Sequence, residues 1–158
     1  MFLFADVGAL GWADALTQSV LYVAVGIFLV AFGAFLTDLL TPGKLGEEIF
    51  KKRNLALGLV TIGGMLGDGY IIAAVIGGHP NPDTLIPMMS GSLNILANTV
   101  VYALGGMAVK IVAYKTLDLV TPSLDFRTAL AENNTAAGLT LGGLFAVIGF
   151  VIAAPLAS

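Results

Sequence analysis

The sequence predicts an all-α polytopic membrane protein, with four transmembrane helices in two tandem two-helix repeats of the same orientation and both termini outside. Three observations carry that expectation. Of 158 residues, 58% are hydrophobic and 11% charged, whereas an ordinary soluble domain has roughly 25% charged residues; the mean hydropathy is +0.96. Four apolar stretches use most of the chain, each near the length that crosses ~30 Å of hydrocarbon at 1.5 Å per residue. The chain also matches itself at a fixed offset, as an internal duplication would.

Taken in order, residues 1–14 form an N-terminal segment with no basic n-region and with Asp6 and Asp14, unlike a cleaved signal peptide, so it is expected to be retained. Phe2, Phe4, Trp12 and, just beyond, Leu16 would anchor it at the outer interface, where Trp is favoured. The first span runs from about Ala15 to Leu40. The second covers Leu55 to Gly77, with Asn54 as the cap that opens it. The third is expected from Leu93 to Tyr114 and the fourth from Thr135 to Leu156. Residues 15–78 and 93–158 thus make the two repeats, joined by an outer loop at 79–92. Short connections favour an up-down-up-down bundle.

Basic residues orient it. Lys44, Lys51, Lys52 and Arg53 lie between spans one and two, and Lys110, Lys115 and Arg127 lie at or after the end of span three. The positive-inside rule places both connections in the cytoplasm and both termini outside. The cluster Lys51-Lys52-Arg53 could hold anionic lipid head groups, or serve only as the topology signal.

The self-match pairs residues 16–74 with 96–154 at an offset of 80, without a gap, and gives 17 identities over 59 pairs. Composition alone would give on the order of five in so apolar a chain. Among the pairs are Tyr22/Tyr102, Gly26/Gly106, Asp38/Asp118, Thr41/Thr121, Pro42/Pro122, Asn54/Asn134, Ala56/Ala136, Gly58/Gly138, Gly63/Gly143, Gly69/Gly149 and Ala73/Ala153. Each unit holds two spans, so both copies insert the same way up, about a pseudo-twofold axis along the membrane normal. Inverted repeats of ion-coupled transporters differ in this respect. The Asp-Leu-x-Thr-Pro runs end spans one and three, because Pro stops one helix and suits the first turn of the next. The segments Lys44 to Arg53 and Leu124 to Glu132 mix apolar and charged residues as short interfacial helices do. Gly63 and Gly67 in span two, and Gly138 and Gly142 in span four, are spaced four apart and lie on one face each, a pattern that brings helix backbones together. Spans two and four are therefore expected to pack on one another at the centre.

Thr-Pro after an apolar span, then Asn-x-Ala-x-Gly-Leu opening the next (Asn54, Ala56, Gly58, Leu59; Asn134, Ala136, Gly138, Leu139) and a later Gly (Gly63, Gly143), is a doubled pattern. It resembles the small bacterial inner-membrane proteins grouped as domain of unknown function 350. The resemblance covers about residues 16–156 and departs at Arg53, where the family pattern has a small residue. It implies a four-helix topology in the bacterial inner membrane. No activity comes with it.

Candidate chemistry is sparse. The chain has no Cys and one His, which excludes disulfides, thiolate sites and histidine-pair metal sites; no cofactor or metal is expected. His79 lies in His-Pro-Asn-Pro-Asp and reads as a solvated loop residue. Asn133-Asn134-Thr135 matches a glycosylation sequon on the expected cytoplasmic side, hence by accident. Asp68 is the one carboxylate deep in a span, where insertion costs roughly 2.5 to 3.5 kcal/mol, so it should face the bundle. Asp68 is expected in the outer half, at the level of Asn98 and Tyr102 in span three, with Asn94 on the same face, and of Gln18 and Tyr22 in span one. Lys110 is expected to snorkel to the inner interface, too far away to pair. Asp68 with Asn98 and Tyr102 could bind a proton or cation, or could tie two helices as a protonated or water-linked carboxyl.

The expected function is accordingly a non-catalytic integral membrane protein, a structural or accessory subunit surrounded by lipid that packs in a homo-oligomer or against other membrane-protein subunits. The alternative is a small channel or ion-coupled transporter built on Asp68. Nucleic acid is disfavoured as a partner by the net charge of −3.

Overall fold

The computed structural model describes residues 11–41, 43–78, 92–120 and 125–157. The expectations for Phe2, Phe4, Pro42, the His79 loop and Thr121-Pro122 lie outside these residues. The described chain is helical in six elements: α1 Trp12–Leu40, α2 Leu45–Phe50, α3 Leu55–Gly77, α4 Ser92–Val120, α5 Phe126–Ala131 and α6 Thr135–Leu156. Four of them, α1, α3, α4 and α6, contain stretches long and apolar enough to cross a membrane. Three of these spans have the expected bounds. The third span is apolar over Leu96–Thr116, and the helix that carries it, α4, runs six residues beyond Tyr114, to Val120, since Lys115 and Thr116 are both compatible with a helix that continues into the interface.

Each of the two short helices sits before a span, and an asparagine opens the span that follows. Asn54 Oδ1 accepts from the Leu57 N–H at 3.0 Å; Asn134 Oδ1 accepts from the Ala136 and Ala137 N–H groups at 3.1 and 3.2 Å. These bonds satisfy donors that a helix start otherwise leaves open. The residue before each cap has a left-handed backbone, Arg53 at φ 55° and Asn133 at φ 59°. Arg53 therefore makes the same turn as its mate, although a Cβ there carries a steric cost that Asn bears more easily. The two turns are also bolted together: Asn54 Nδ2 donates to the Leu130 carbonyl at 2.8 Å, and Asn133 Oδ1 accepts from the Ala56 N–H at 3.0 Å. Asn133 is thus occupied in a structural bond. At the end of α1, Asp38 Oδ1 accepts from the Leu45 N–H at 2.7 Å and so starts α2.

The dominant packing is α3 along α6, with the two helices parallel. A methyl added at Gly63 would run into the Gly142 backbone, at Gly67 into Phe145 and Gly149, at Gly138 into Ala56, and at Gly142 into Leu59 and Val60. Backbone touches backbone along the seam because these four glycines have no side chain, the means by which membrane helices gain van der Waals contact where lipid is as apolar as leucine. On a second side, α3 meets α1 and α4. Two apolar clusters fill the space: Leu45, Ala56, Leu57, Val60, Leu130, Leu141 and Phe145 near the α2/α5 end, and Leu29, Ile72, Ala103 and Met107 further along. Large apolar side chains such as Ile27, Phe28, Phe35, Val112, Val147 and Phe150 stay exposed, as suits a bundle whose solvent is hydrocarbon.

Candidate functional site

The polar centre of the bundle is an ion pair. Lys110 Nζ on α4 lies 2.5 Å from Asp68 Oδ1 on α3, with the side chains 2% and 0% exposed. The ammonium also donates to the Gly64 carbonyl at 3.4 Å and lies 5.7 Å from the centre of the Phe145 ring, a favourable cation–π distance. Asp68 Oδ2 is buried without a hydrogen-bond partner and rests against Gly33 of α1, where a Cβ would collide with it. Beside it, Thr37 Oγ1 donates to the Gly33 carbonyl at 3.0 Å, and the hydroxyl packs on Gly64. Gly33 and Gly64 give the carboxylate and the ammonium room between three helices.

This overturns the expectation for Lys110. It does not snorkel, and six basic residues, not seven, remain to mark one end of the bundle. The physical reason is the length of α4. Lys110 stands ten residues from Val120, about 15 Å from that end, instead of the ~6 Å implied by an end at Tyr114. Asp68 stands thirteen residues from Leu55, about 20 Å up α3, and the four-carbon lysine stem closes the remaining ~5 Å.

The same register moves the other expected partners away. Asn98 and Tyr102 lie twelve and eight residues along α4 from Lys110, about 18 and 12 Å by helical rise, so neither reaches Asp68. Asn98 is buried and Tyr102 half-buried closer to the other end of the bundle, where Tyr22 of α1 and Thr99 of α4 hydrogen-bond to each other. Lys51 and Lys52 are exposed and pair one helical turn back with Glu47 at 3.4 Å and Glu48 at 2.7 Å. The Glu48 carboxylate raises the Lys52 pKa above its ordinary value. In the α5 cap, Asp125 accepts from the Thr128 hydroxyl and N–H, and these bonds hold its carboxyl below the usual range. Among the described residues, no group of three or more His, Cys, Asp and Glu side chains could hold a metal ion.

Sequence reasoning missed Lys110 and Gly33 as parts of the site. At the 80-residue offset of the sequence self-match, Asp68, Lys110 and Gly33 correspond to Ile148, Val30 and Ala113, so none of the three is among the shared residues.

A family profile matches residues 11–156, nearly the whole chain, and is described as Domain of Unknown Function (DUF350). The chain belongs to the DUF350 family. Comparison with curated proteins and with solved structures returns no match. Within DUF350 the match encloses all six helices and every residue of the ion-pair site.

Proposed function

We propose that this DUF350 protein is a non-catalytic structural or accessory subunit of a bacterial inner membrane, packing laterally in a homo-oligomer or against other membrane-protein subunits. The observation that carries the reading is how the Asp68–Lys110 pair is used. These two deeply placed charges neutralise each other between α3 and α4, with a third helix closing on the free oxygen. A carboxylate held in this way fixes helix register. It is not displayed to a substrate. The exterior, in contrast, offers apolar and small residues over most of its height, which is the composition of a surface meant for lipid and neighbouring helices.

The two halves are read as a duplication, each a long helix, a short interfacial helix and a capped span. Six basic residues gather at the α2/α5 end, which supports a cytoplasmic location for that end and N-out, C-out topology. Lys51, Lys52 and Arg53 would then face anionic lipid head groups, at roughly 1 kcal/mol per charge. Extraction in mild detergent followed by affinity purification tests the reading: defined stoichiometric complexes support it, and recovery of isolated single chains in every lipid and detergent rejects it.

One observation favours the ion-coupled alternative, namely that Asp68 Oδ2 is buried without a hydrogen-bond partner. Reconstituted vesicles decide it. Proton or cation flux in the parent protein, abolished in Asp68→Asn, would support a channel or transporter; absence of flux in the parent would remove that reading.

A further inference from the structure

The seam between α3 and α6 joins two different faces of one repeated helix. On α3 it uses Ala56, Val60, Gly63 and Gly67, with Ile71 next along the same face, all buried. On α6 it uses Gly138, Gly142, Phe145, Gly149 and Ala153, also buried. Shifted by the 80-residue offset, the α6 set corresponds to Gly58, Ile62, Met65, Gly69 and Ala73. The two faces are two positions apart, roughly 200° around the helix. A twofold axis between the repeats would bring like faces together. The observed contact is head to tail, so each helix leaves the face its mate uses unfilled.

Those unfilled faces are both present and exposed. On α6, Ala136, Thr140, Gly143, Val147 and Val151 are all exposed, with open space around Gly143; their mates on α3 are the buried seam. The Thr140 hydroxyl is satisfied by the Ala136 carbonyl at 2.9 Å within its own helix, so this face has no polar group to desolvate. On α3, Ile62 is 57% and Met65 39% exposed, Ala73 is exposed, and Gly58 and Gly69 have open space around them; their mates on α6 are the other half of the seam. At the same offset Asp68 and Lys110 correspond to Ile148 and Val30, so a contact that repeated the intrachain arrangement in a following copy would bury no charge at that position.

We propose that a second copy of this chain docks through the Gly58-Ile62-Gly69 face of its α3 onto the Ala136-Gly143-Val147 face of α6, repeating the intrachain seam from molecule to molecule. The occupant is a copy of this chain because the surface that fits each free face is already seated on its repeat mate. A head-to-tail contact with faces near 200° apart does not close on two subunits; it extends into a row or a large ring. The proposal deepens the lateral-packing reading above and rests on it.

The chain has no Cys, so engineered thiols report without background. Gly63 meets Gly142 in the seam, and the offset turns that pair into Gly143 of one copy against Ile62 of the next. In native membranes, Gly143→Cys/Ile62→Cys is expected to give an oxidative ladder of dimer, trimer and higher species. Val147→Cys/Gly69→Cys, which corresponds to the Gly67–Gly149 contact, serves as a second pair should the first variant fail to fold. Cross-linking by Gly143→Cys alone, stopping at dimer, would show like faces meeting and overturn the proposal. No cross-link in either folded double variant overturns it as well. In that event, a particle of several chains or a hetero-complex would leave the structural-subunit reading standing, whereas a lone chain would remove both.

Discussion

Asp68 and Lys110 show how two residues that each oppose membrane insertion become compatible with it when they meet. Removing one partner leaves a buried charge uncompensated, which costs about 3–5 kcal/mol, whereas replacing both with apolar side chains of similar size is often neutral or stabilising. Asp68→Asn and Lys110→Met are each expected to lower the detergent unfolding stability by about that amount, and Asp68→Leu/Lys110→Met to recover most of it. Single variants with parental stability would contradict the pairing. A second residue-scale prediction concerns Asp125, which is exposed. Its carboxyl is held low by Thr128, so the α5 cap contributes fully above the ordinary carboxylate pKa of 3.8 and is lost as pH falls through the lower folded-state value. The Thr128 amide resonance should titrate with a midpoint below 3.8; a midpoint at or above that ordinary value would contradict the bond. Asp68 was legible as a buried carboxylate, because one charge in an apolar run has few other places to go. Its partner was not, because pairing depends on the register of two antiparallel helices. An error of six residues at the end of α4 shifts that register by about 9 Å.

At the scale of elements, spans were legible because length and apolar content alone define them, and Asn54 was legible as a cap because the side chain competes for the first helical N–H groups. Gly63, Gly67, Gly138 and Gly142 lie in the α3–α6 seam, yet spacing could not separate them from Gly58, Gly69 and Gly143, which belong to the other face of the same small-rich helices. The separation is energetic and can be measured. Gly63→Leu forces a side chain into the Gly142 backbone and should cost at least the ~1–3 kcal/mol of overpacking, whereas Gly143→Leu, pointing into open space, should leave the stability of the single chain in detergent within ~0.5 kcal/mol. Equal losses for the two would contradict the seam. Identity at the 80-residue offset shows that a glycine recurs and does not show which neighbour it meets, since α3 and α6 contact one another through unlike faces.

For the whole molecule, the account is of a bundle whose two deeply placed charges, Asp68 and Lys110, pair internally and whose exterior is largely apolar. The four-span architecture was legible from composition and hydropathy; the row of α3 and α6 with α1 and α4 alongside depends on side-chain volumes that a pattern of apolar letters does not rank. DUF350 membership agrees with the architecture over residues 11–156 and carries no activity with it. The central claim, that the protein works by packing laterally in the membrane, meets its most direct test in the particle mass of the protein captured with native lipid in nanodiscs. The account predicts a defined assembly, either a multiple of the 16.2 kDa chain or a stoichiometric complex with other membrane subunits. A single 16.2 kDa chain at every protein-to-lipid ratio would contradict it.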